Sequence, residues 1–571
     1  MIGRILLTLV ILAITGFVLL VLIGLWDRHE QEITDSLSRI YEQYLASPSG
    51  PASSPRATFR EQPKLVGTGA VGSSSQGMSV ALSADGNTVI VGGPGPNNAD
   101  RERPPSIAPA GAAWVFTRSS DLWTQQAKLV GTTSERGGGL WSQGASVAMS
   151  ADGNTAIIGG PSDNGTTGAA WVFTRSRDVW TQQGKKLVGS GVGEPQFPLG
   201  QGMSVALSAN GDTAIVGGWG AEGAWVFTSS GGAWSQEGKK LVGSGAVGKP
   251  RLGMSVALSA DGNTALVGGW SDNNKTGAAW VFTRRGGIWT QQGKKLVAAD
   301  AVGSARQGMS VALSADGNTA IVGGPGDNPW DRSRPFGLGA PGAAWVFTRS
   351  GGVWTQQGNK LVSSSAVGRL GTSVALSADG NIAVVGGFAE DGGVALVFTR
   401  SAGQWTQDKK LVGTGAVGKS APSVALSADG SLVMLGASND NGGVGAAWVF
   451  TRSSDYWTQD KSLVGSGAVG KVVPSASVDS SSSIMVGQPN DNGGARAATV
   501  FTRRGGGSDS QEVARPSATS NAAVTFEGMT MHDGTAQRIA KERPLGGAVL
   551  VSAPRSITAV PRNRGCPAAR T

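Results

Sequence analysis

Residues 253–270 read GMSVALSADGNTALVGGW, and residues 308–325 read GMSVALSADGNTAIVGGP. The phrase occurs eight times, with its serine at Ser79, Ser146, Ser204, Ser255, Ser310, Ser373, Ser423 and, in a worn copy, Ser475, at a mean spacing of about 57 residues. Each copy brings the same companions in the same order: a segment like GAAWVFTR, then W(T/S)Q, then KLVG(S/T)GAVG. Such duplication marks an architecture in which each unit buries its apolar surface against its neighbours. Within a unit SVALS alternates, the Asp-Gly pair of ADGN suits a two-residue hairpin turn, and TAIVGG begins a second strand. AAWVFT forms a third strand, with Trp114 and Phe116 of the first copy on one face, and the stretch from Trp123 to Val130 forms a fourth. Four short antiparallel strands per unit is the pattern of a propeller blade.

The ends of the array sharpen this reading. KLV at Lys64–Val66 precedes any complete repeat, and the last AAWVFT-like segment, ending near Thr502, lacks its WTQQ and KLV strand. Joining the orphan to the gap closes a ring and leaves no open blade. The expected fold is therefore all-β, a β-propeller of four-stranded antiparallel blades. Eight blades are expected, with seven left open because the last copy, PSASVDSSSSIMVGQP, has lost its Asp-Gly turn.

The order SVALSADGNTAIVGGP, GAAWVFTR and WTQQGKKLVGSGAVG resembles the FG-GAP repeat, the blade unit of integrin-alpha-type propellers, over about residues 60–504. The resemblance implies a propeller that binds other macromolecules, often in adhesion, and not an enzyme. The Phe-Gly that names the motif is here Gln-Gly or Leu-Gly, and Gly-Ala-Pro is Gly-Gly-Pro. The resemblance would also allow calcium, but family members that bind it carry several oxygen ligands in the first hairpin. One carboxylate in ADGN cannot supply the six to eight oxygens calcium takes, so no cofactor or metal is expected. Asp85, Asp152, Asp261, Asp316, Asp379 and Asp429 are read as turn formers. The tryptophans repeated at 114, 171, 225, 280, 345 and 448 are read as packing.

Outside the repeats the text changes. Residues 5–26 carry no charge and suffice for a transmembrane helix, read as an uncleaved signal anchor. Arg4 precedes the span while Asp27, Arg28, Glu30 and Glu32 follow it, which places the propeller outside the cytoplasm, in the periplasm or at the cell surface. Ile33, Leu37, Ile40 and Tyr44 recur at heptad spacing and suggest a helical stalk through which two chains could pair as a homodimer. The domain reading is 1–29 tail and anchor, 30–59 stalk and Pro/Ser linker, 60–504 propeller, and 505–571 a low-complexity tail with the lone Cys566.

The net charge of +9 does not by itself indicate nucleic acid, for no nucleic-acid motif is present. Lys185, Lys186, Lys239, Lys240, Lys294, Lys295, Lys409 and Lys410 fall on fourth strands, where lysine protects an edge from pairing. Catalysis is not expected, because the propeller contains no histidine and no cysteine. What is particular to this chain must lie where copies differ: the loop from second to third strand and the loop into the next blade, which share one face. There stand Arg101, Arg103, Trp141, Phe197, Trp219, Trp270, Trp330, Arg332, Arg334, Phe336 and Phe388, aromatic and arginine groups of the kind that dominate binding surfaces. The functional expectation is a membrane-anchored binding or adhesion protein with a protein or glycan ligand on this face. The alternatives are an envelope scaffold acting through the anchor and, less favoured, a propeller hydrolase or lyase.

Overall fold

A computed structural model describes residues 58–504 apart from loop segments, the longest at 96–110, 133–142, 192–198, 328–339, 438–445, 464–475 and 489–496. The anchor, stalk, linker, tail and Cys566 lie outside the described residues. No helix among the described residues is long and apolar enough to cross a membrane.

The chain forms eight four-stranded antiparallel sheets. Seven are built from four consecutive strands, and the eighth is assembled from both ends of the array in the order Thr58–Glu61, Ala497–Arg504, Ser483–Gln488, Ala476–Val478. The first strands of successive blades are neighbours all the way round, and that of the eighth blade (Ala476–Val478) touches that of the first (Ser79–Leu82), so the sheets close into a ring. The closing strand starts earlier than the orphan KLV. Thr58 pairs with Arg504 and Glu61 with Phe501, and Leu65 bridges to Ala498. TFRE thus takes the place of WTQQ, and Phe59 stands opposite Arg503 as Trp123 stands opposite Arg118.

Strand composition follows from having a blade on either side. The second strand, TAIVGG, is buried at every residue, as is the AAWVF part of the third, because both faces meet neighbouring blades. The fourth strand alternates exposed and half-buried positions, for only one side of it is covered. Trp114, Trp171, Trp225, Trp280, Trp345 and Trp448 are all at most 1% exposed, as their repetition predicted. Each lies against the end of the preceding blade. A Cβ added to Gly67 would sit 2.2 Å from Trp114 Cδ1, and the same holds for Gly131 and Trp171. The glycine of KLVG is therefore the seat of the next blade's indole, whose Nε1 donates to the following backbone carbonyl, as in Trp280 to Ser244 (2.9 Å). The exceptions agree with this account. Where Ala298 replaces the glycine, Trp345 Nε1 turns to Asp300 Oδ1 (2.9 Å). Where Ser363 replaces it, the next blade carries Leu396 in place of tryptophan.

The glutamine of the Gln-Gly variant has a structural reason. Gln143, 1% exposed, accepts from Gly131 N–H at Oε1 (2.6 Å) and donates from Nε2 to Gly131 carbonyl (2.9 Å), closing one blade's exit on the next blade's entry. The serine of the quoted phrase makes another such link. Ser79, Ser146 and Ser204 donate to the carbonyls of Gly144, Gly202 and Gly253 on the following blade at 2.8–2.9 Å.

The first hairpin corrects the expectation of a two-residue turn. Ser83 N–H bonds Thr88 carbonyl and Gly86 N–H bonds Ser83 carbonyl, so four residues, 84–87, make the connection. The extra length frees Ala84 N–H for the carbonyl of Ala151 on the next blade, and the step repeats through Ala209, Ala260, Ala315, Ala378 and Ala428, each at 2.8–2.9 Å. This belt of hydrogen bonds joins seven blades at the hairpin end, and its alanines pack together.

Two measurements test the packing. Leu396→Trp is expected to destabilise by about 1–3 kcal/mol through overpacking, and adding Ser363→Gly to restore most of it; a double-mutant cycle in chemical denaturation reads the coupling. Deleting residues 58–65 is expected to lower the melting temperature and to open residues 476–504 to limited proteolysis, because the eighth blade loses its outer strand.

Candidate functional site

Two faces result from this topology. The hairpins between first and second and between third and fourth strands share one end, where Arg175 N–H bonds the Asn154 carbonyl. The second-to-third loops and the interblade loops share the other, where Ser271 N–H bonds Pro250 carbonyl and Asn273 N–H bonds Val247 carbonyl.

The hairpin face repeats one network in blades one, two, four, five and six, whereas the third blade has Ser229 in place of the arginine and the seventh Ser431 in place of the asparagine. Asp261 Oδ1 accepts from Ser259 Oγ and from Asn263 N–H (2.9 Å), and Oδ2 accepts from Asn263 Nδ2 (2.9 Å). Burial would raise the Asp261 carboxyl, but these donors and the nearby Arg284 outweigh it and hold the group below its usual range. Asn263 Oδ1 in turn accepts from Arg284 Nε (2.9 Å), whose guanidinium lies over Trp289. Both Arg284 Nη1 and Trp289 Nε1 then donate to Glu237 of the preceding blade (3.1 and 2.7 Å). In other blades the acceptor is the second glutamine of WTQQ, as Gln292 for Arg349 and Trp354, or Asp408 for Trp457. The turn aspartates are thus members of a blade-to-blade latch. An open groove lined by Asp261, Arg284, Arg285 and Arg349 between the fourth and fifth blades belongs to this repeated network.

The loop face is where blades differ. Nine of the eleven candidate residues, Arg101, Arg103, Trp141, Phe197, Trp219, Trp330, Arg332, Arg334 and Phe336, lie outside the described residues. Trp270 and Phe388 are described. Phe388 is 7% exposed, and what stands at the surface is Arg369, whose guanidinium is 5.8 Å from the ring centroid. Trp270 is half-buried, with Arg251 at 5.3 Å and Arg306 at 5.8 Å over its ring, and its buried Nε1 has no hydrogen-bond partner among the described residues.

These three arginines were not among the candidates, yet they occupy one structural position. Each stands four residues before the first-strand serine and has positive φ: 52° at Arg251, 57° at Arg306 and 49° at Arg369. A non-glycine residue in that region costs on the order of 1–3 kcal/mol. Gly200 fills the same position in the third blade without that cost. Aligning the copies on the serine would have revealed them, since Lys419 and Lys471 follow in the same register.

Several charged groups here are structural. Asp272 (0% exposed) accepts from Val247 N–H (2.7 Å) and pairs with Lys295, and Asp327 (1% exposed) accepts from Val302 N–H (2.7 Å) and pairs with Lys360. Lys186 pairs likewise with Asp163. This corrects the reading of Lys186 and Lys295 as edge protection: their stems run back over the blade to a buried carboxylate that holds the incoming loop. Their neighbours Lys185 and Lys294 are exposed. In the third blade Glu222 takes over. Half-burial raises its carboxyl, opposed by the N–H groups of Arg251 and Leu252 and the charges of Arg251 and Lys240, while burial lowers Lys240 against the pull of Glu222. Among the described residues no group of histidines, cysteines or carboxylates is placed to hold a metal.

No protein-family model matches this chain, and no curated protein does. Solved structures share the propeller fold. A protein provisionally assigned as a 6-phosphogluconolactonase from Bacteroides uniformis is similar at 14% identity, over 61% of this chain and 88% of its own, with a TM-score of 0.40. The periplasmic gluconolactonase PpgL of Pseudomonas aeruginosa is similar at 16% identity, over 69% and 85%, with a TM-score of 0.35. Sqt1 of Chaetomium thermophilum, bound to the N-terminus of ribosomal protein L10, is similar at 15% identity, over 74% and 95%, with a TM-score of 0.44. The expectation that the chain is not an enzyme is corrected to this extent: the solved structures it resembles include a gluconolactonase.

Proposed function

We propose that this chain is an extracytoplasmic binding protein of the FG-GAP kind, anchored by residues 5–26, which presents the loop face of its propeller to a protein or glycan ligand, as in adhesion. The observation that supports this reading is the distribution of variation. The hairpin face repeats one latch in five blades at nearly constant loop length, whereas the loops of the opposite face change in length, aromatic content and arginine content. Repetition maintains the ring, and departure from it on one side only is what a binding surface requires. The long loop PGDNPWDRSRPFGLGAPG of the fifth blade supplies the densest such group, Trp330, Arg332, Arg334 and Phe336.

A second reading, an envelope scaffold, is favoured by the heptad spacing of Ile33, Leu37, Ile40 and Tyr44. The two readings separate in one experiment on cells expressing the full chain. Under the first, replacing Trp330, Arg332 and Arg334 by alanine abolishes adherence to the ligand at unchanged melting temperature, and replacing the stalk residues does not; the reverse outcome would establish the scaffold. Protease access to a tag placed after Arg504 tests the topology, with cleavage expected only from outside the cytoplasmic membrane.

Calcium is not proposed as a cofactor, since both carboxylate oxygens of Asp261 and its equivalents are engaged by the turn. The melting temperature is expected to be the same in millimolar calcium and in excess chelator; a rise with calcium would reopen the site.

A further inference from the structure

The reading above names a face but not the chemistry that face selects. In blades four to six, the exposed ionised groups described there are cations: Lys249, Arg251, Lys275, Arg306 and Arg369. The described carboxylates of the same region are withdrawn. Asp272 and Asp327 are buried in ion pairs, Asp300 accepts from Trp345, Gln356 and Lys360, and Glu222 accepts from Arg251 N–H. Among the described residues of this region, the charges left at the surface are therefore cations.

Three features make these cations more than a solvated edge. The arginines sit at a left-handed backbone position that Gly200 fills in another blade, so the side chain, not the turn, is what each strained residue adds. Arg251 and Arg306 are gathered over one indole, which holds two like charges close together and concentrates positive potential. Beneath them, Trp270 Nε1 is an N–H donor that finds no acceptor among the described residues, and an entering carboxylate could satisfy it.

The surface between the cations identifies the anion carrier. Val247 (51% exposed) and Val302 (37% exposed) are backed by the loops that Asp272 and Asp327 pin, so apolar side chains alternate with the arginines. The two described aromatic rings of this face, Trp270 and Phe388, lie under guanidinium groups rather than open to a sugar or a base. We propose that Arg251, Arg306 and Arg369, with Trp270 between the first two, dock an acidic peptide segment of a partner protein in which carboxylates alternate with apolar side chains. This rests on the reading of the loop face as the binding face.

The test uses the full-length chain in mild detergent and a fluorescein-labelled peptide of alternating glutamate and leucine, followed by anisotropy. The expected result is saturable binding that weakens as salt is raised, and that falls more than tenfold in the Arg251→Gly/Arg306→Gly/Arg369→Gly variant. Because glycine suits the left-handed position, the variant should melt no lower than the parent, which separates lost recognition from lost fold. Replacing the three by lysine should restore part of the affinity, as charge returns without the planar fork. A sulfated polysaccharide that binds more tightly than the peptide and is lost in the same variant would overturn the peptide assignment while leaving the loop-face reading standing. Peptide binding that the triple glycine variant leaves intact, or no peptide binding at all, would overturn the inference; the fate of the loop-face reading is then decided independently by the Trp330, Arg332 and Arg334 variant.

Discussion

An indole laid on a glycine is the contact on which the rest of this molecule depends. Every blade is a thin sheet with apolar residues on both sides, and its second and third strands are stable only if covered twice. The third-strand tryptophan provides that cover by reaching back across the blade boundary, and the KLVG glycine makes room for it. Around this contact the polar links arrange themselves: the glutamine amide on the same glycine, the first-strand serine on the next blade's glycine, and the arginine–tryptophan pair on the preceding blade's glutamine or acid. The repeated tryptophan, glutamine, serine and arginine are spent on the boundary between units. Little of the repeat is left over for function, so function must come from what is not repeated.

The division of labour between the two faces is a consequence of topology. Hairpin connections hold adjacent strands of one blade and have no freedom to lengthen without disturbing the alanine belt. Second-to-third and interblade loops cross open space and need only be tied at one point. That point is a buried aspartate, which takes the N–H of the incoming valine and the charge of a lysine from its own outer strand. A loop pinned in this way can carry an insertion, an aromatic group or a strained arginine without loosening the ring.

How far this could be read in advance follows from the range of each interaction. Blade number and closure were legible because duplication states the unit, and the orphan Lys64–Val66 states what is missing from the last one. The two-residue turn was misjudged because the bond that widens it, Ala84 to Ala151, joins residues of different blades. Lys186 and Lys295 were read as edge residues because strand position says nothing about which loop folds beneath. Of the candidate site, Trp270 and Phe388 stand out in the sequence against the proline or serine of other copies, whereas Arg251, Arg306 and Arg369 lie just ahead of the repeated phrase. Their signal lies four residues before its serine, in a backbone conformation that no side-chain pattern reveals.

The eighth blade has a consequence for how such a chain is made. Its outer strand is the first of the array to be synthesised and its third strand is the last, with Thr58 meeting Arg504. Seven blades can stack as they emerge, each settling on its predecessor, while the leading strand waits unpaired for a partner more than four hundred residues away. Closing so long a span costs only slightly more than closing a short one, since the entropy grows with the logarithm of length. The delay is in time more than in free energy: until the last repeat is delivered the ring is an open arc with two unprotected edges, and the worn eighth copy is the part of the chain that ends its exposure to aggregation.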